Sequence, residues 1–134
     1  MAQRILVADD DVAALDGLRA LLSAWGFEVQ TATDGRQALD TIAAAQPALV
    51  ITDIVMPIMD GLELLTALKT RRPRLPVVIM TGQGDADTQA SATSKGADGY
   101  LSKPLDLGRL KMLTAALMSP DAEGGRKDTR RFSG

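Results

Sequence analysis

Five polar residues in this sequence carry groups that could do chemistry together, and each follows a short apolar segment: Asp9, Asp10, Asp53, Thr81 and Lys103. Neighbouring carboxylates repel one another and raise one another's pKa unless a cation lies among them. A site built from oxygen atoms suits Mg²⁺, which keeps several waters and leaves coordination positions open for phosphate oxygens. A carboxylate beside that ion can attack phosphorus, because phosphoryl transfer depends mainly on positioning and charge neutralisation. We therefore expect Asp53 to accept a phosphoryl group, Lys103 to balance its charge and Thr81 to donate a hydrogen bond to it.

The apolar segments that precede these residues predict the strands of a parallel sheet. Four of them, residues 5–8, 48–51, 77–80 and 99–101, are almost continuously apolar, which is typical of strands covered on both faces. The fifth, residues 27–31, alternates polar and apolar residues and is expected nearer an edge of the sheet. In open α/β sheets the ligand crevice lies beyond the carboxyl ends of the strands, so the polar residues should meet there.

Helical patterns fill the intervals between the predicted strands, and the alternation predicts one (βα)5 doubly wound α/β domain. Asp34 and Asp60 are expected to cap two of the helices, and Glu63 stands at capping-box spacing from Asp60. The segment 85–95 has alanine as its only apolar residue type, so we expect it to pack loosely. Leucines at helical spacing, with one tryptophan, predict the buried helix faces: Leu15, Leu18, Leu22 and Trp25, then Leu62, Leu65 and Leu68, and finally Leu107, Leu110, Leu113 and Leu117.

Composition excludes several classes of function. The chain has 134 residues, no cysteine, no histidine and a formal net charge of -2. A disulfide framework, a thiol nucleophile and a histidine general base are therefore excluded. The charge gives no reason to expect direct binding to nucleic acid or to an anionic membrane. No apolar segment approaches the ~20 residues needed to span a bilayer, so a cytoplasmic protein is expected.

Four motifs taken together resemble the receiver domain of two-component response regulators. They are ADDD at residues 8–11, ITDIVMPIMDG at 51–61, MTG at 80–82 and KP at 103–104. The resemblance implies a flavodoxin-like fold, with a five-stranded parallel sheet in the order 2-1-3-4-5 and helices on both faces. We expect a receiver domain at residues 1–118. Residues 119–134 have no apolar period and are expected to form a flexible tail or the start of a linker.

The resemblance also implies a role for each site residue. Asp53 would be the phosphorylated aspartate, and Asp9, Asp10 and Asp53 would hold Mg²⁺ together with the main-chain carbonyl of Val55. Lys103 and Thr81 would contact the phosphoryl group. Thr81 would also act as a switch residue with Tyr100, which stands where the family keeps an aromatic side chain that turns inward.

By the same resemblance, the chain would be a regulatory domain rather than an enzyme. A sensor histidine kinase or a phosphotransfer protein would donate the phosphoryl group to Asp53. Phosphorylation would change the surface formed by helix 4, strand 5 and helix 5, through which a homodimer or an output partner could bind. The output itself is not indicated by any motif in the sequence.

Two other functions stay open at the level of the sequence. Asp9-Asp10-Asp11 also resembles the motif of Mg²⁺-dependent phosphatases of the haloacid dehalogenase type, in which Asp9 would be the nucleophile and Asp11 the acid. That hypothesis leaves Asp53 without a role, and we expect Asp11 to cap the first helix instead. The second alternative is a pseudo-receiver, a docking module that is not phosphorylated.

Overall fold

Five parallel strands form one sheet in the order β2-β1-β3-β4-β5 in the computed structural model, which describes residues 3–82 and 86–118. This confirms the predicted fold class and strand order. The strands are β1 (Arg4–Ala8), β2 (Glu28–Ala32), β3 (Leu49–Asp53), β4 (Val77–Thr81) and β5 (Gly99–Ser102). Every residue of β3 and β4 is buried, as near-continuous apolarity predicts for central strands. β2 lies at an edge, as predicted, although four of its five residues are at least partly exposed and burial does not alternate along it.

The five helices cover both faces of the sheet, which was also predicted. They are α1 (Val12–Ala24), α2 (Gly35–Ala44), α3 (Gly61–Arg71), α4 (Ala86–Ser94) and α5 (Leu107–Met118). One buried cluster contains the apolar side chains of α1 and α5, and the other contains those of α2, α3 and α4. Among the described residues, the helices are too short or too polar to cross a bilayer.

The predicted helix caps are present. The Asp11 carboxylate accepts the main-chain N–H groups of Ala13 and Ala14, and Asp34 accepts that of Gln37. Asp60 and Glu63 form the reciprocal capping box expected from their spacing. These contacts fix the first turns of three helices that begin next to the carboxyl ends of the strands.

The predicted buried faces of two helices are confirmed in part. Leu107 is the first residue of α5 and its side chain is 52% exposed, whereas α5 buries Leu110, Thr114 and Met118. These three residues are four apart and share one face. Of the predicted leucines, Leu110 is buried on that face and Leu113 and Leu117 pack against the same core, so only Leu107 was assigned wrongly. In α3, Leu64 is buried and Leu62 is only partly so.

The amino ends of β4 and β5 are joined to α3 by one ion pair. Lys69, near the end of α3, donates to Asp98 Oδ2 at 2.6 Å and to the carbonyl of Leu75 at 2.8 Å. The same Asp98 oxygen accepts the main-chain N–H of Val77 at 2.8 Å. One carboxylate therefore connects a helix end with the starts of two strands, at the opposite end of the sheet from the predicted site.

α4 is attached to the domain by little apolar surface. Ala92 is its buried residue, and the rest of the helix is mostly polar and exposed. This agrees with the loose packing expected for segment 85–95, of which residue 85 lies outside the described residues. The predicted tail at 119–134 also lies outside the described residues.

Candidate functional site

Three predicted carboxylates meet at the carboxyl ends of β1 and β3, which are neighbours in the sheet. One oxygen atom from each of Asp9, Asp10 and Asp53 lies within 4.8 Å of the others. Asp9 is 1% exposed and Asp53 is 9% exposed, whereas Asp10 stands exposed at the rim. The structure places Asp53 as the last residue of β3, where the sequence suggested the position after the strand.

Lys103, which directly follows the edge strand β5, forms ion pairs with two of these acids. Its Nζ lies 2.9 Å from Asp9 Oδ2 and 3.1 Å from Asp53 Oδ2. β5 is separated from β3 by β4, and the lysine reaches over the end of β4. The Lys103 main-chain N–H also donates to the carbonyl of Thr81 at 2.8 Å. The ammonium group therefore neutralises part of the charge that would otherwise separate the acids.

The pKa of Asp53 lies above its ordinary value of 3.8. Burial is the main cause, and the negative charge of Asp9 acts in the same direction. The hydrogen bond and the charge of Lys103, with the N–H of Ile54, lower the pKa without cancelling the rise. Burial by itself lowers the pKa of Lys103, but its contacts with Asp9 and Asp53 outweigh burial and raise it above 10.5. The lysine therefore stays charged at neutral pH.

Asp9 and Asp53 are held in the same manner. In each carboxylate, Oδ1 accepts a main-chain N–H: that of Asp11 at 2.9 Å for Asp9, and that of Ile54 at 2.8 Å for Asp53. In each, Oδ2 faces Lys103. The main chain thus fixes the rotation of both carboxylates, and the two Oδ2 atoms converge on one cation.

The predicted switch residues lie in β4 and β5 as expected. Thr81 is the last residue of β4, pairs with Ser102 in the sheet and is buried. Tyr100 pairs with Ile79, and its side chain is buried in the core cluster that also contains Ala92 of α4. The aromatic side chain of the edge strand and the buried residue of α4 therefore belong to the same core cluster.

The loop between β3 and α3 lies beside the acceptor and makes contacts that the sequence did not predict. Its two ends are joined by the Gly61 N–H, which donates to the carbonyl of Ile54 at 2.8 Å. Ile58 has a φ of 70°, and the N–H of Met59 donates to the carbonyl of Pro57 at 2.7 Å across it. This is a γ-turn with a positive central φ, a strained conformation for a β-branched residue. Pro57, the first residue of that turn, supports it because its ring fixes its own φ.

Val55, the predicted source of a main-chain ligand, lies in the same loop. Its side chain is 70% exposed, so it does not fill the interior of the site. Glycine is needed at both places where the loop meets the rest of the domain. A Cβ on Gly61 would come within 2.0 Å of the Asp53 carbonyl oxygen, and one on Gly35 within 2.6 Å of the Met59 carbonyl oxygen. The Asp60-Gly61 pair at the end of the 51–61 motif was the only sequence signal for the requirement at position 61. The reason for that requirement, the close approach to Asp53, is visible only in the structure.

The carboxylate cluster fits a hard divalent cation such as Mg²⁺. Oxygens that bind one octahedral Mg²⁺ at ~2.1 Å lie up to about 4.2 Å apart, close to the spacing of these three aspartates. Because Asp10 is exposed, an ion bound there would have access to solvent and could keep some of its waters. Asp11 does not join the cluster, because its carboxylate caps α1.

Sequence comparisons identify relatives along most of the chain. The family model described as the response regulator receiver domain matches residues 5–115. Response regulator MprA of Mycolicibacterium vanbaalenii is 39% identical over 136 residues, covering 99% of this chain and 59% of that protein. Transcriptional regulatory protein ZraR of Klebsiella oxytoca is 44% identical over 108 residues, covering 81% of this chain and 24% of that protein. The chain thus spans less than two thirds of the length of these relatives.

Solved structures agree with the sequence comparisons. The CheY-like receiver domain protein of Methanospirillum hungatei superposes with a TM-score of 0.85 at 31% identity, covering 92% of this chain and all of that one. NtrX of Brucella abortus gives a TM-score of 0.85 at 36% identity, covering 94% of this chain and 29% of that one. With the matched family model, the strand order and the acid cluster, these similarities show that the chain belongs to the family of response regulator receiver domains.

Proposed function

We propose that this chain is a phosphorylation-dependent signalling switch with Asp53 as the phosphoryl acceptor. The observation that supports this most directly is the Lys103 ammonium, which lies between Asp9 and Asp53 inside a cluster of three acids. A sensor histidine kinase or a phosphotransfer protein would supply the phosphoryl group, as expected for the family. The family is regulatory, and we propose no reaction beyond assistance to phosphorylation and dephosphorylation of the chain itself.

In the transfer step, a carboxylate oxygen of Asp53 forms a bond to phosphorus while the bond between phosphorus and the donor nitrogen breaks. The electron pair of the broken bond stays on the donor imidazole, and Asp53 becomes an acyl phosphate. Lys103 already faces Asp53 Oδ2 and can follow the charge to the incoming phosphoryl oxygens. Asp53 is reactive as the carboxylate, so its raised pKa must still lie below the working pH.

Mg²⁺ would be held by Asp9, Asp10, Asp53 and the main-chain carbonyl of Val55, and when bound it would neutralise the charge of the phosphoryl oxygens. The protein residues prepare for that role. Asp9 and Asp53 are nearly buried and oriented by main-chain N–H groups, so little rearrangement is needed when a cation enters.

The switch would begin at Thr81, whose hydroxyl would donate to the new phosphoryl group. Its carbonyl accepts the N–H of Lys103, so displacement of the end of β4 also affects the end of β5. Tyr100 and Ala92 share a core cluster, so repacking of the tyrosine would shift α4. α4 buries little apolar surface, so little packing energy opposes that shift. The changed surface of α4, β5 and α5 would bind an output partner or a second copy of the chain.

The experiment that tests this function is intact mass measurement after incubation with a small acyl phosphate and Mg²⁺. We expect one phosphoryl group on the wild type, and none after Asp53→Asn or with EDTA. Asp16→Asn is the control, because Asp16 is an exposed acid on α1 that pairs with Arg19. Labelling that survives Asp53→Asn but is lost with Asp9→Asn would instead support the phosphatase. No labelling beside a receiver that is labelled would favour the pseudo-receiver or strict dependence on a protein donor, which purified histidine kinase distinguishes.

A further inference from the structure

Thr52 is a fully buried polar residue directly before the acceptor, and neither the metal nor the phosphoryl chemistry assigns it a role. Its side chain is 0% exposed. Its hydroxyl donates to the main-chain carbonyl of Asp53 at 2.9 Å, and Oγ1 also lies 3.9 Å from the sulfur of Met56. A buried hydroxyl is costly unless it is hydrogen bonded, so this contact is a defined part of the structure.

The hydroxyl acts on the peptide group that joins Asp53 to Ile54. That group is planar, and its C=O and N–H point in opposite directions. Thr52 holds the C=O end, and the N–H end donates to Asp53 Oδ1 at 2.8 Å. Rotation of the peptide plane would break both hydrogen bonds. The orientation of this peptide plane therefore determines that Asp53 Oδ1 accepts the Ile54 N–H and that Oδ2 faces Lys103.

The contact with Met56 extends the same control into the loop. Met56 is buried in the core cluster of α2, α3 and α4. Val55 lies in the chain between the fixed peptide plane and this buried methionine. Thr52 thus touches the chain before and after the residue whose carbonyl is the proposed metal ligand.

We propose that Thr52 is a positioning residue for phosphoryl transfer. Its hydroxyl holds the peptide between Asp53 and Ile54, and through that peptide it sets the orientation of the acceptor carboxylate and of the Val55 carbonyl. The inference rests on the proposed function of Asp53. A purely structural role would require only the volume of the side chain, whereas the positioning role requires the hydroxyl.

Two matched pairs of side chains at position 52 separate the effect of side-chain volume from the effect of the hydroxyl group. Threonine and Thr52→Val have nearly the same shape and differ by the hydroxyl; Thr52→Ser and Thr52→Ala are both smaller and differ in the same way. We expect the wild type and the serine variant to be phosphorylated by a small acyl phosphate at similar rates. The valine and alanine variants should be slower by roughly five- to ten-fold, the effect of one lost hydrogen bond. Lost volume should lower the stability of the serine and alanine variants, and the lost hydrogen bond should lower that of the valine and alanine variants.

Two further measurements do not depend on phosphorylation. The amide proton of Ile54, which reports its hydrogen bond to Asp53, should shift in ¹H–¹⁵N spectra of the valine and alanine variants but not of serine. The Kd for Mg²⁺ from calorimetry should rise in the same two variants. Rates, amide shift and Kd that follow side-chain volume would overturn the inference. Failure of the wild type to be phosphorylated would count against the proposed function alone, because the amide shift and the Kd would still decide the role of Thr52.

Discussion

The main-chain carbonyl of Asp53 lies against the α-carbon of Gly61, so closely that a Cβ at position 61 would come within 2.0 Å of the oxygen. The N–H of Gly61 also donates to the carbonyl of Ile54. The start of α3 is therefore packed directly on the end of the strand that carries the acceptor. No side chain can stand between them, and movement of one changes the position of the other.

Gly61→Ala should destabilise the fold strongly, because the new methyl group can be accommodated only by separation of α3 from β3. We expect the free energy of unfolding to fall by about 2–4 kcal/mol, measured by urea denaturation. Gly17→Ala is the matched control. Gly17 is an exposed residue within α1 where a Cβ meets no atom within 4 Å, so stability should rise by about 0.5–1 kcal/mol. Equal effects of the two substitutions would show that the close approach is absent in solution.

The raised pKa of Asp53 predicts how stability depends on pH. A folded-state pKa above 3.8 means that the folded protein binds this proton more tightly than the unfolded chain. The contribution of the group is therefore favourable at low pH and is lost as the pH rises through the folded-state pKa. At pH 7 the carboxylate is destabilising, and Asp53→Asn should raise the free energy of unfolding by about 1 kcal/mol.

That gain should disappear as the pH falls below 3.8, where the carboxyl group is protonated in both states. Lys103 is charged throughout this range and does not contribute to the pH dependence. Denaturant unfolding from pH 3 to 7 measures the difference, with Asp16→Asn as the control. A less stable Asp53→Asn protein at pH 7 would show that the attraction of Lys103 exceeds the cost of burial.

Mg²⁺ should stabilise the folded protein, since the three acids converge only after folding. At a free concentration ten times its Kd, one bound ion adds about 1.4 kcal/mol to the free energy of unfolding. Thermal unfolding with and without Mg²⁺ checks this. Asp10→Asn should remove most of the stabilisation by Mg²⁺ without unfolding the protein, because Asp10 is exposed. Asp16→Asn should keep the stabilisation by Mg²⁺. An increment that survives Asp10→Asn would mean that the ion binds elsewhere.

Asp11 should contribute to stability but not to chemistry. Its carboxylate caps α1 through the N–H groups of Ala13 and Ala14. Asp11→Ala should cost about 1 kcal/mol, whereas Asp11→Ser should keep most of the stability because serine is also a good cap. Both variants should still be phosphorylated on Asp53 in the mass assay. Loss of labelling in the serine variant, whose helix cap is intact, would instead support a chemical role for Asp11, as in the phosphatase hypothesis.

α4 should open more often than the other helices, because Ala92 is its buried residue whereas α1 buries three leucines. We expect its amide protons to exchange at least about ten-fold faster than those in the middle of α1, by hydrogen exchange at neutral pH. Phosphorylation of Asp53 should change exchange in α4 and leave the middle of α1 as it was. Equal protection of the two helices before phosphorylation would argue against α4 as the moving element.

The parts of the fold that depend on local pattern could be predicted from the sequence. Continuous apolarity marked the central strands, aspartates marked the helix starts, and the strand ends located Asp9, Asp53 and Lys103 at one edge. The last helix shows the limit of this approach. Leu107 fits the leucine spacing, but the face that meets the sheet is set by how α5 crosses it, and Thr114 and Met118 lie on that face.

Contacts within the site were less accessible to sequence reasoning, because they depend on distances between main-chain atoms. The motif at residues 51–61 indicates an acid, a proline turn and a helix start. It does not indicate that Gly61 must approach Asp53, or that Thr52 directs its hydroxyl to the next carbonyl. Nor could the sequence pair Lys69 with Asp98, which are 29 residues apart. These contacts follow from the register of β3, β4 and β5 rather than from residue type.

The ion pair of Lys69 and Asp98 restrains the end of the sheet that lies opposite the site. It fixes the starts of β4 and β5 to α3, while Thr81 and Lys103 at the other ends of these strands lie at the site. The starts of β4 and β5 are therefore held to a helix, whereas their other ends are held by the contacts of Lys103 with Thr81, Asp9 and Asp53. If phosphorylation displaced Thr81 and Lys103, the ion pair would oppose sliding of the whole strands, and the movement would be confined to their carboxyl ends. The direction of the signal, toward α4 and β5, would then be set partly by a lysine at the opposite end of the domain from the acceptor.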